Sequence, residues 1–288
     1  MQKTVLDRVE RVADDVVSLV LRGDEGLLEP WEPGAHVDLA LPNWLTRQYS
    51  LCGDPSDLST YRIAVRLDPL SRGGSEYIHW YLRPGRTLSV SVPRNHFPLL
   101  PAAEYLFVAG GIGITPIVPM LRSAVASGAA VTLAYAGRPF AAELSSRYGE
   151  RVRLGRPDLA ALAAEFPAAE VYCCGPESMV DAAEAVFPGV HTERFEPTRR
   201  TFGPDTAFEV GCARSGGTIQ VPADESLLDA LNHAGRPVAS ACREGVCGSC
   251  EITVLEGEPE HRDDIGAAAG RMYPCVSRSL SPRLVLDL

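Results

Sequence analysis

Four cysteines in the last third of the chain constrain its fold more than any other feature. Cys242, Cys247 and Cys250 follow the spacing C-x4-C-x2-C, and Cys275 comes after 24 further residues. Thiolates with this spacing hold a [2Fe–2S] cluster. The alternatives are a zinc site or simply buried thiols. A structural zinc site usually needs a second C-x2-C pair, and only one is present, which favours the cluster. The chain is therefore expected to bring four sulfur atoms to one loop.

Size, composition and charge are those of an ordinary globular protein. With 288 residues, 45% of them hydrophobic, the chain is long enough for about two or three domains. The net charge is −10 and the Lys and Arg residues are scattered, which argues against nucleic acid as a partner. No apolar stretch reaches membrane-spanning length, and the charged N-terminal segment lacks the apolar core of a signal peptide. We therefore expect a cytoplasmic protein without membrane association.

Residues 1–100 predict an antiparallel β-barrel domain. Short segments of alternating polarity at 16–21, 37–41 and 61–65 are separated by turns that contain Gly and Pro. Short strands at regular spacing with such turns are typical of all-β barrels. This domain is expected to end near residue 100, where the pattern changes.

Residues 101–197 predict an α/β domain with a parallel sheet. Continuous apolar runs at 105–109, 131–135 and 170–174 indicate strands that are buried on both faces, and helical stretches such as 116–127 separate them. A glycine-rich turn, Gly110–Pro116, lies between the first of these strands and its helix. At such a turn a pyrophosphate can approach the backbone and the positive end of the helix.

The polar segment 198–206 is predicted to be a linker to a third domain, residues 207–288. Two strand-like segments, 208–212 and 218–221, precede a helix that starts after Ser226. The cysteine-rich loop and two final strands then close the chain. The third domain is therefore expected to mix strands with a single helix.

Two segments of the barrel domain suit a phosphate. Arg47-Gln-Tyr-Ser50 ends a predicted strand, and Ser71-Arg-Gly-Gly-Ser75 follows about twenty residues later. A tight glycine turn offers backbone N–H groups and a hydroxyl to a phosphate, and the arginines supply positive charge. Taken alone, the first segment also fits a barrel in which Tyr49 is a packed strand residue and Arg47 is a solvated charge at the edge.

The cysteine segment Ala241–Cys250, with Tyr273–Arg278 behind it, resembles the C-terminal ferredoxin domain of the phthalate dioxygenase reductase family, which includes vanillate demethylase reductases. The two barrel segments resemble the flavin-binding pattern of the ferredoxin–NADP reductase superfamily. The turn Gly110–Pro116 and the segment Cys174–Pro176 resemble its nucleotide-binding pattern. The resemblance covers nearly the whole chain. It implies an FMN-binding barrel, an NAD-binding α/β domain and an α+β ferredoxin-like (β-grasp) domain.

The resemblance also implies roles for individual residues. The cluster ligands are then Cys242, Cys247, Cys250 and Cys275. Arg47 meets the flavin phosphate, Tyr49 lies against the isoalloxazine and Ser50 reaches its polar edge. Further cofactor contacts are expected at Ala64, Val65, Arg66, Arg72, Gly73, Gly74, Ser75, Gly110, Gly111, Gly113, Thr115, Pro116, Gly175 and Pro176. Together with Ser50, Cys174 beside the nicotinamide and Phe195 over the flavin form the reacting centre, with core packing as the alternative for Phe195.

The implied activity is electron transfer from NADH through FMN and the [2Fe–2S] cluster to a separate oxygenase component, most often of the Rieske type. A cytochrome P450 is an alternative acceptor. A stand-alone flavin or ferric reductase and a redox sensor are alternative functions. FAD and NADPH are the alternative cofactors, the latter because Arg138 follows the second strand of the α/β domain. The family implies a monomer.

Overall fold

The protein is described by a computed structural model that covers residues 1–198 and 200–288. The chain divides into two compact units, Met1–Phe195 and Glu196–Leu288, which are described separately. The linker predicted at 198–206 includes Arg199, which lies outside the described residues. The other residues of that segment form no helix or strand.

The first unit begins with a seven-stranded antiparallel sheet. Its elements are β1 (Gln2–Ala13), β2 (Val16–Gly23), β3 (Ala35–Ala40), β4 (Thr46–Ser50), β5 (Thr60–Arg66), α1 (Gly74–Trp80), β6 (Thr87–Val90) and β7 (Arg94–Asn95). The strand order is β4-β3-β6-β1-β2-β5, and β7 pairs with β3. Beyond β4, the Cys52 N–H donates to Arg62 O of β5 at 2.8 Å, which brings the two ends of this path together. The predicted antiparallel barrel is thereby confirmed.

Alternation along the barrel strands produces its core. Leu6, Leu19, Leu39 and Ile63 are fully buried and belong to one apolar cluster inside the sheet. Because side chains on a strand alternate between its two faces, each strand gives this cluster every second residue. Burial of a Leu or Ile side chain contributes about 1.5–3 kcal/mol, so these positions hold the strands in register.

A five-stranded parallel sheet completes the first unit. Its elements are β8 (Glu104–Gly110), α2 (Ile114–Ala126), β9 (Ala130–Ala136), α3 (Ala141–Tyr148), β10 (Val152–Leu154), α4 (Leu159–Glu165), β11 (Glu170–Cys174), α5 (Glu177–Val186) and β12 (His191–Glu193). The strand order is β10-β9-β8-β11-β12. From β8 the chain moves to β9 on one side and later returns to β11 on the other. Ligands of open α/β sheets bind at such a reversal, outside the carboxyl ends of the strands.

The β8 strand is buried on both faces, as its continuous apolar run predicts. Phe107 and Ala109 pack into an apolar cluster with α2, whereas Leu106 and Val108 pack into a second cluster on the opposite face. The predicted helix at 116–127 is α2, which begins two residues earlier and ends one residue earlier. The predicted parallel α/β arrangement is confirmed.

The second unit is a small α+β domain, as predicted. Its elements are β13 (Phe208–Cys212), β14 (Thr218–Val221), α6 (Leu227–His233), β15 (Ile252–Glu256), β16 (Pro259–Glu260), β17 (Arg271–Met272), β18 (Arg278–Ser279) and β19 (Arg283–Leu286). The main sheet has the order β14-β13-β19-β15-β17, and β16 pairs with β18. Ser226 caps α6, because its Oγ accepts the Asp229 N–H at 3.1 Å. Instead of two final strands, the structure has five, of which three are only two residues long.

Candidate functional site

The four predicted cluster ligands lie in two pairs. Cys250 Sγ and Cys275 Sγ are 3.3 Å apart, and the side chains of Cys242 and Cys247 are hydrogen-bonded to each other. Two pairs suit a [2Fe–2S] cluster, in which four cysteines are shared between two irons. Among the described residues, no group of three or more His, Cys, Asp or Glu side chains is arranged around a single ion, as structural zinc needs. The arrangement of the thiols in two pairs is the observation that agrees with a two-iron cluster.

The loop that carries these cysteines depends on glycine. Gly245 and Gly248 have φ angles of 73° and 70°, in the left-handed region that favours glycine. A Cβ at Gly245 would also lie 2.7 Å from Val276 Cγ2. Backbone amides turn towards the sulfurs: the Glu244 N–H donates to the sulfur of Cys242 at 3.3 Å. Such donors stabilise thiolates and influence the potential of a bound cluster.

Hydrogen bonds within each pair favour one thiolate. The bond with Cys242 lowers the pKa of Cys247 to about 6, and the bond with Cys275 lowers the pKa of Cys250. The same bonds raise the pKa of Cys242 and of Cys275. Because the thiolate is the form that binds metal, each pair already has one sulfur suited to an iron.

The strand β4 carries the three predicted flavin residues of the first barrel segment. Ser50 is buried, and Tyr49 packs against the barrel core, where burial raises the pKa of its hydroxyl. The guanidinium of Arg47 donates to Thr46 O at 2.9 Å and to Arg72 O at 3.1 Å. Arg47 thus links β4 to the glycine turn, and the structure brings the two predicted phosphate-binding segments together.

The glycine turn is held in shape by its own hydroxyl groups. Ser71 Oγ accepts the Gly73 N–H, and Ser75 Oγ donates to Ser71 Oγ, each at 3.1 Å. Gly73 has a φ of 84°, and a Cβ at Gly74 would lie 2.8 Å from Nε of Arg47. The turn therefore needs both glycines, one for its backbone conformation and one for the close approach of the arginine.

The predicted contact residues of β5 divide between the core and the surface. Ala64 and Val65 are buried, whereas Arg66 is exposed. Ala64 belongs to the same apolar cluster as Ile114 at the start of α2 and Cys174 at the end of β11. The barrel strand and the carboxyl edge of the parallel sheet therefore meet in one buried apolar cluster of the first unit.

The turn after β8 packs closely against the turn after β11. A Cβ at Gly113 would lie 2.4 Å from the carbonyl oxygen of Cys174, and one at Gly110 would lie 2.6 Å from Pro176 Cδ. The Thr115 hydroxyl donates to a carbonyl of the turn at 3.0 Å. These contacts place the two predicted nucleotide-binding segments side by side at the sheet reversal.

Of the remaining residues of these segments, Gly111 leaves room beside the backbone, whereas Pro116 and Gly175 are closely packed. Gly111 has a φ of 54° with no atom within 4 Å of a Cβ position, and its carbonyl accepts the Tyr135 hydroxyl at 3.0 Å. Pro116 is buried in the first turn of α2, where a missing N–H costs no hydrogen bond. A Cβ at Gly175 would lie 3.0 Å from Gly110 N. The open side of this turn suits a pyrophosphate.

Cys174 and Phe195 differ in exposure. Cys174 is fully buried at the end of β11, and burial raises the pKa of its thiol well above the ordinary value. Phe195 follows β12 and is 40% exposed. That exposure disfavours ordinary core packing, the alternative that the sequence left open for Phe195.

Comparison with known proteins agrees with this geometry. The model of a 2Fe-2S iron-sulfur cluster binding domain matches residues 211–279. Vanillate O-demethylase oxidoreductase of Pseudomonas sp. (strain HR199 / DSM 7063) is 39% identical, with 100% of both chains covered. The structure of phthalate dioxygenase reductase superposes with a TM-score of 0.73 and 35% identity, over 99% of this chain and 97% of that one.

The chain belongs to the phthalate dioxygenase reductase family. The resemblance found in the sequence is thereby confirmed. The predicted enzyme class, a flavin and iron–sulfur oxidoreductase with a [2Fe–2S] domain, is confirmed as well. An intact type IV self-sufficient cytochrome P450 monooxygenase is also similar, with a TM-score of 0.91 and 39% identity. This chain spans 41% of that longer one. None of the helices in the described part of the chain has the length and apolar character needed to cross a bilayer.

In this member of the phthalate dioxygenase reductase family, the strand neighbour of Cys174 is an acidic residue to which the sequence analysis gave no role. Glu193 of β12 is the parallel neighbour of Cys174, and burial raises the pKa of its carboxyl to about 8. Its Oε2 is shielded from solvent, and no described residue donates a hydrogen bond to it. Glu193 escaped notice because a single Glu in a polar segment has no sequence signal of its own.

Proposed function

We propose that this chain is an NADH-dependent reductase that passes electrons through FMN and a [2Fe–2S] cluster to a separate oxygenase component. The observation that carries the proposal is that one chain combines two features. Four thiols lie in two pairs in the second unit. In the first unit, a barrel strand meets a glycine-rich turn at the reversal of the parallel sheet. The full-length similarity to a vanillate O-demethylase oxidoreductase supports the same function. On this proposal residues 1–100 bind flavin, 101–197 bind NADH and 207–288 hold the cluster.

The protein's own part is to bind, orient and exclude water. Bound flavin and cluster supply the chemistry, which divides the two electrons of NADH into single-electron deliveries. The turn Gly110–Pro116 presents backbone N–H groups and the start of α2 to the pyrophosphate. The close contact of Gly113 with Cys174 brings the two turns together at the place proposed for the nicotinamide end. Near neutral pH Glu193 holds a proton at its carboxyl, because burial disfavours the charged form.

For the flavin we propose FMN. Arg47 and the Ser71–Ser75 turn form one phosphate-binding corner, with Tyr49 and Ser50 on the same strand. A single corner of this kind suits the single phosphate of FMN. Phe195 is proposed to cover the flavin face until the nicotinamide arrives, which its 40% exposure permits.

For the coenzyme we propose NADH. Arg138 is the basic side chain that follows β9, where a 2′-phosphate would be bound. Its Nη1 lies 3.5 Å from Asp14 Oδ2, and both side chains are exposed. The carboxylate of Asp14 would repel a 2′-phosphate, so the pair favours the coenzyme that lacks one.

For the acceptor we propose a Rieske-type ring-hydroxylating or demethylating oxygenase, in agreement with the names of the full-length relatives. The net charge of −10 suits a weak, salt-sensitive encounter with a positively charged surface. A cytochrome P450 is the second candidate. It is favoured by the strong similarity to part of a self-sufficient P450 monooxygenase.

The test is an anaerobic visible spectrum of the purified protein before and after one equivalent of NADH, with identification of the flavin released on denaturation. We expect flavin and iron–sulfur bands that bleach together, FMN in the extract, and a much smaller response to NADPH. Rapid reduction of cytochrome c should then depend on the cluster. If the flavin bands bleach while the cluster bands persist, and ferric chelates are reduced as fast as protein acceptors, the protein is a stand-alone flavin or ferric reductase instead.

A further inference from the structure

A buried carboxylate lies in the second unit outside the set of proposed ligands. Asp263, between β16 and β17, has a side chain that is only 1% exposed. Its Oδ2 accepts the Gly266 N–H at 2.8 Å. Its Oδ1 is shielded from solvent, and none of the described residues donates a hydrogen bond to it. Such an oxygen is costly to bury, so its position calls for a reason.

The carboxylate stands directly behind the cysteine loop. A Cβ at Gly245, between the first and second ligands, would lie 3.1 Å from Asp263 Cα. The next residue, Asp264, donates its backbone N–H to Gly245 O at 3.1 Å. The Gly245 N–H in turn hydrogen-bonds the sulfur of Cys275. Gly245, through its carbonyl and its N–H, therefore links the backbone beside Asp263 to a proposed ligand.

The positive charges nearby are directed elsewhere. Arg200 donates to Asp264 Oδ1 at 2.5 Å and, towards Asp263, only to the backbone carbonyl at 3.2 Å. His261 Nδ1 is 3.8 Å from Asp263 Oδ1, and the His261 side chain is 43% exposed. Asp264 is thus paired with a permanent cation, whereas Asp263 faces only an imidazole.

The charge of Asp263 can act on the ligand segment through space. Asp263 packs against Gly245, and the Gly245 N–H hydrogen-bonds the sulfur of Cys275. Because buried charges are little screened by salt, the charge of Asp263 also acts on an electron that arrives beside Cys275.

We propose that Asp263 is a buried anion whose charge lowers the reduction potential of the [2Fe–2S] cluster. An added electron makes the cluster more negative, and a fixed negative charge behind the loop opposes it. Asp263 acts through Gly245 and the surrounding field rather than as a ligand, so it is a positioning residue. The inference rests on the four proposed ligands and is independent of the coenzyme and the acceptor.

The test is a dye-mediated redox titration of the full chain at pH 8, followed by the electron paramagnetic resonance signal of the reduced cluster. For Asp263→Asn we expect the equilibrium constant for reduction to rise roughly tenfold, which is about 59 mV for one electron. The double variant Arg200→Gln/Asp264→Asn is the matched control, since it removes an ion pair and leaves the net charge unchanged, and it should change the constant less than about threefold, or about 28 mV. The difference between the variants should persist in 0.5 M salt.

The readout separates this inference from the proposed function. If Asp263→Asn takes up no cluster, Asp263→Ser removes the charge with a smaller side chain and should shift the potential in the same direction. An unchanged potential in a neutral variant with an intact cluster refutes the role of Asp263 and leaves the proposed function standing. A shift of equal size in the double variant Arg200→Gln/Asp264→Asn refutes it too. A wild-type chain that binds no cluster refutes both.

Discussion

A methyl group at Gly113 tests the geometry on which the nucleotide site depends. Gly113 has φ −61° and ψ −4°, which alanine adopts without strain, so any effect of Gly113→Ala is steric. The new Cβ would lie 2.4 Å from Cys174 O, 2.5 Å from Cys174 C and 2.7 Å from Gly175 N. All three are backbone atoms, which no side-chain rotation can move. Since ordinary contacts lie at about 3.5 Å, the turn must retreat from β11 by about 1 Å.

That retreat should have a moderate effect on stability and a large effect on catalysis. Overpacking of this kind costs about 1–3 kcal/mol of unfolding free energy, which a folded domain can lose. A misplacement of about 1 Å between reacting groups can cost roughly 100-fold in rate. We therefore expect the rate of flavin bleaching by NADH in anaerobic stopped flow to fall about 100-fold, with the flavin and cluster spectra intact.

Gly128→Ala is the matched control. Gly128 lies just beyond the other end of α2, has a φ of 81° and has no atom within 4 Å of a Cβ position. Alanine there is strained by about 1–2 kcal/mol, so it should lower the melting temperature about as much as Gly113→Ala but leave the bleaching rate unchanged. A Gly113→Ala protein that bleaches within threefold of the wild-type rate would falsify the assigned geometry of the two turns.

Three further outcomes are expected. Because burial raises the pKa of Glu193 from 4.5 to about 8, the wild type loses stability as the pH rises from about 5 to 8, at up to about 1.4 kcal/mol per pH unit. Over this pH window the melting temperature of Glu193→Gln should rise relative to that of the wild type. A difference in melting temperature that does not change with pH contradicts a raised pKa at Glu193. Cys275→Ser should lose the iron–sulfur bands and most of its iron, whereas Cys212→Ser, a buried thiol outside the proposed ligands, should keep both; equal iron in the two variants rules out the ligand set. Gly74→Ala should displace Arg47 and weaken FMN binding roughly tenfold in a fluorescence titration, because a charge-assisted hydrogen bond of about 1.5–3 kcal/mol is lost. Gly85→Ala, with open space around its Cβ position, should bind FMN like the wild type. Equal affinities of the two variants would speak against the proposed phosphate-binding corner.

The architecture was predictable where a pattern repeats. The run at 105–109 became β8 with one more residue at each end, and the segments 208–212 and 218–221 became β13 and β14 without change. Periodicity identified these elements because each strand contributes several buried side chains. The two-residue strands β16, β17 and β18 escaped prediction, since two residues cannot establish an alternation.

The candidate site was predictable as motifs but not as contacts. The sequence identified the barrel segments and both nucleotide segments, yet it contained no sign that Arg47 reaches Arg72 O or that Gly113 touches Cys174. These contacts join residues 25 and 61 positions apart in the chain. Only the fold determines which distant residues meet, so spacing within a motif could reveal the chemistry and not the assembly.

Two buried carboxyl oxygens depart from the rule that buried polar groups are hydrogen-bonded. Glu193 Oε2 and Asp263 Oδ1 are the only carboxylate oxygens among the described residues that are shielded from solvent without a hydrogen bond. An unsatisfied buried polar group costs about 1–3 kcal/mol, and an apolar or amide side chain would avoid much of that cost. One of these oxygens belongs to the strand neighbour of Cys174, and the other lies behind the proposed cluster loop. Because each unit bears this cost beside its own proposed redox site, a carboxyl group at these two positions is better explained by electron transfer than by stability.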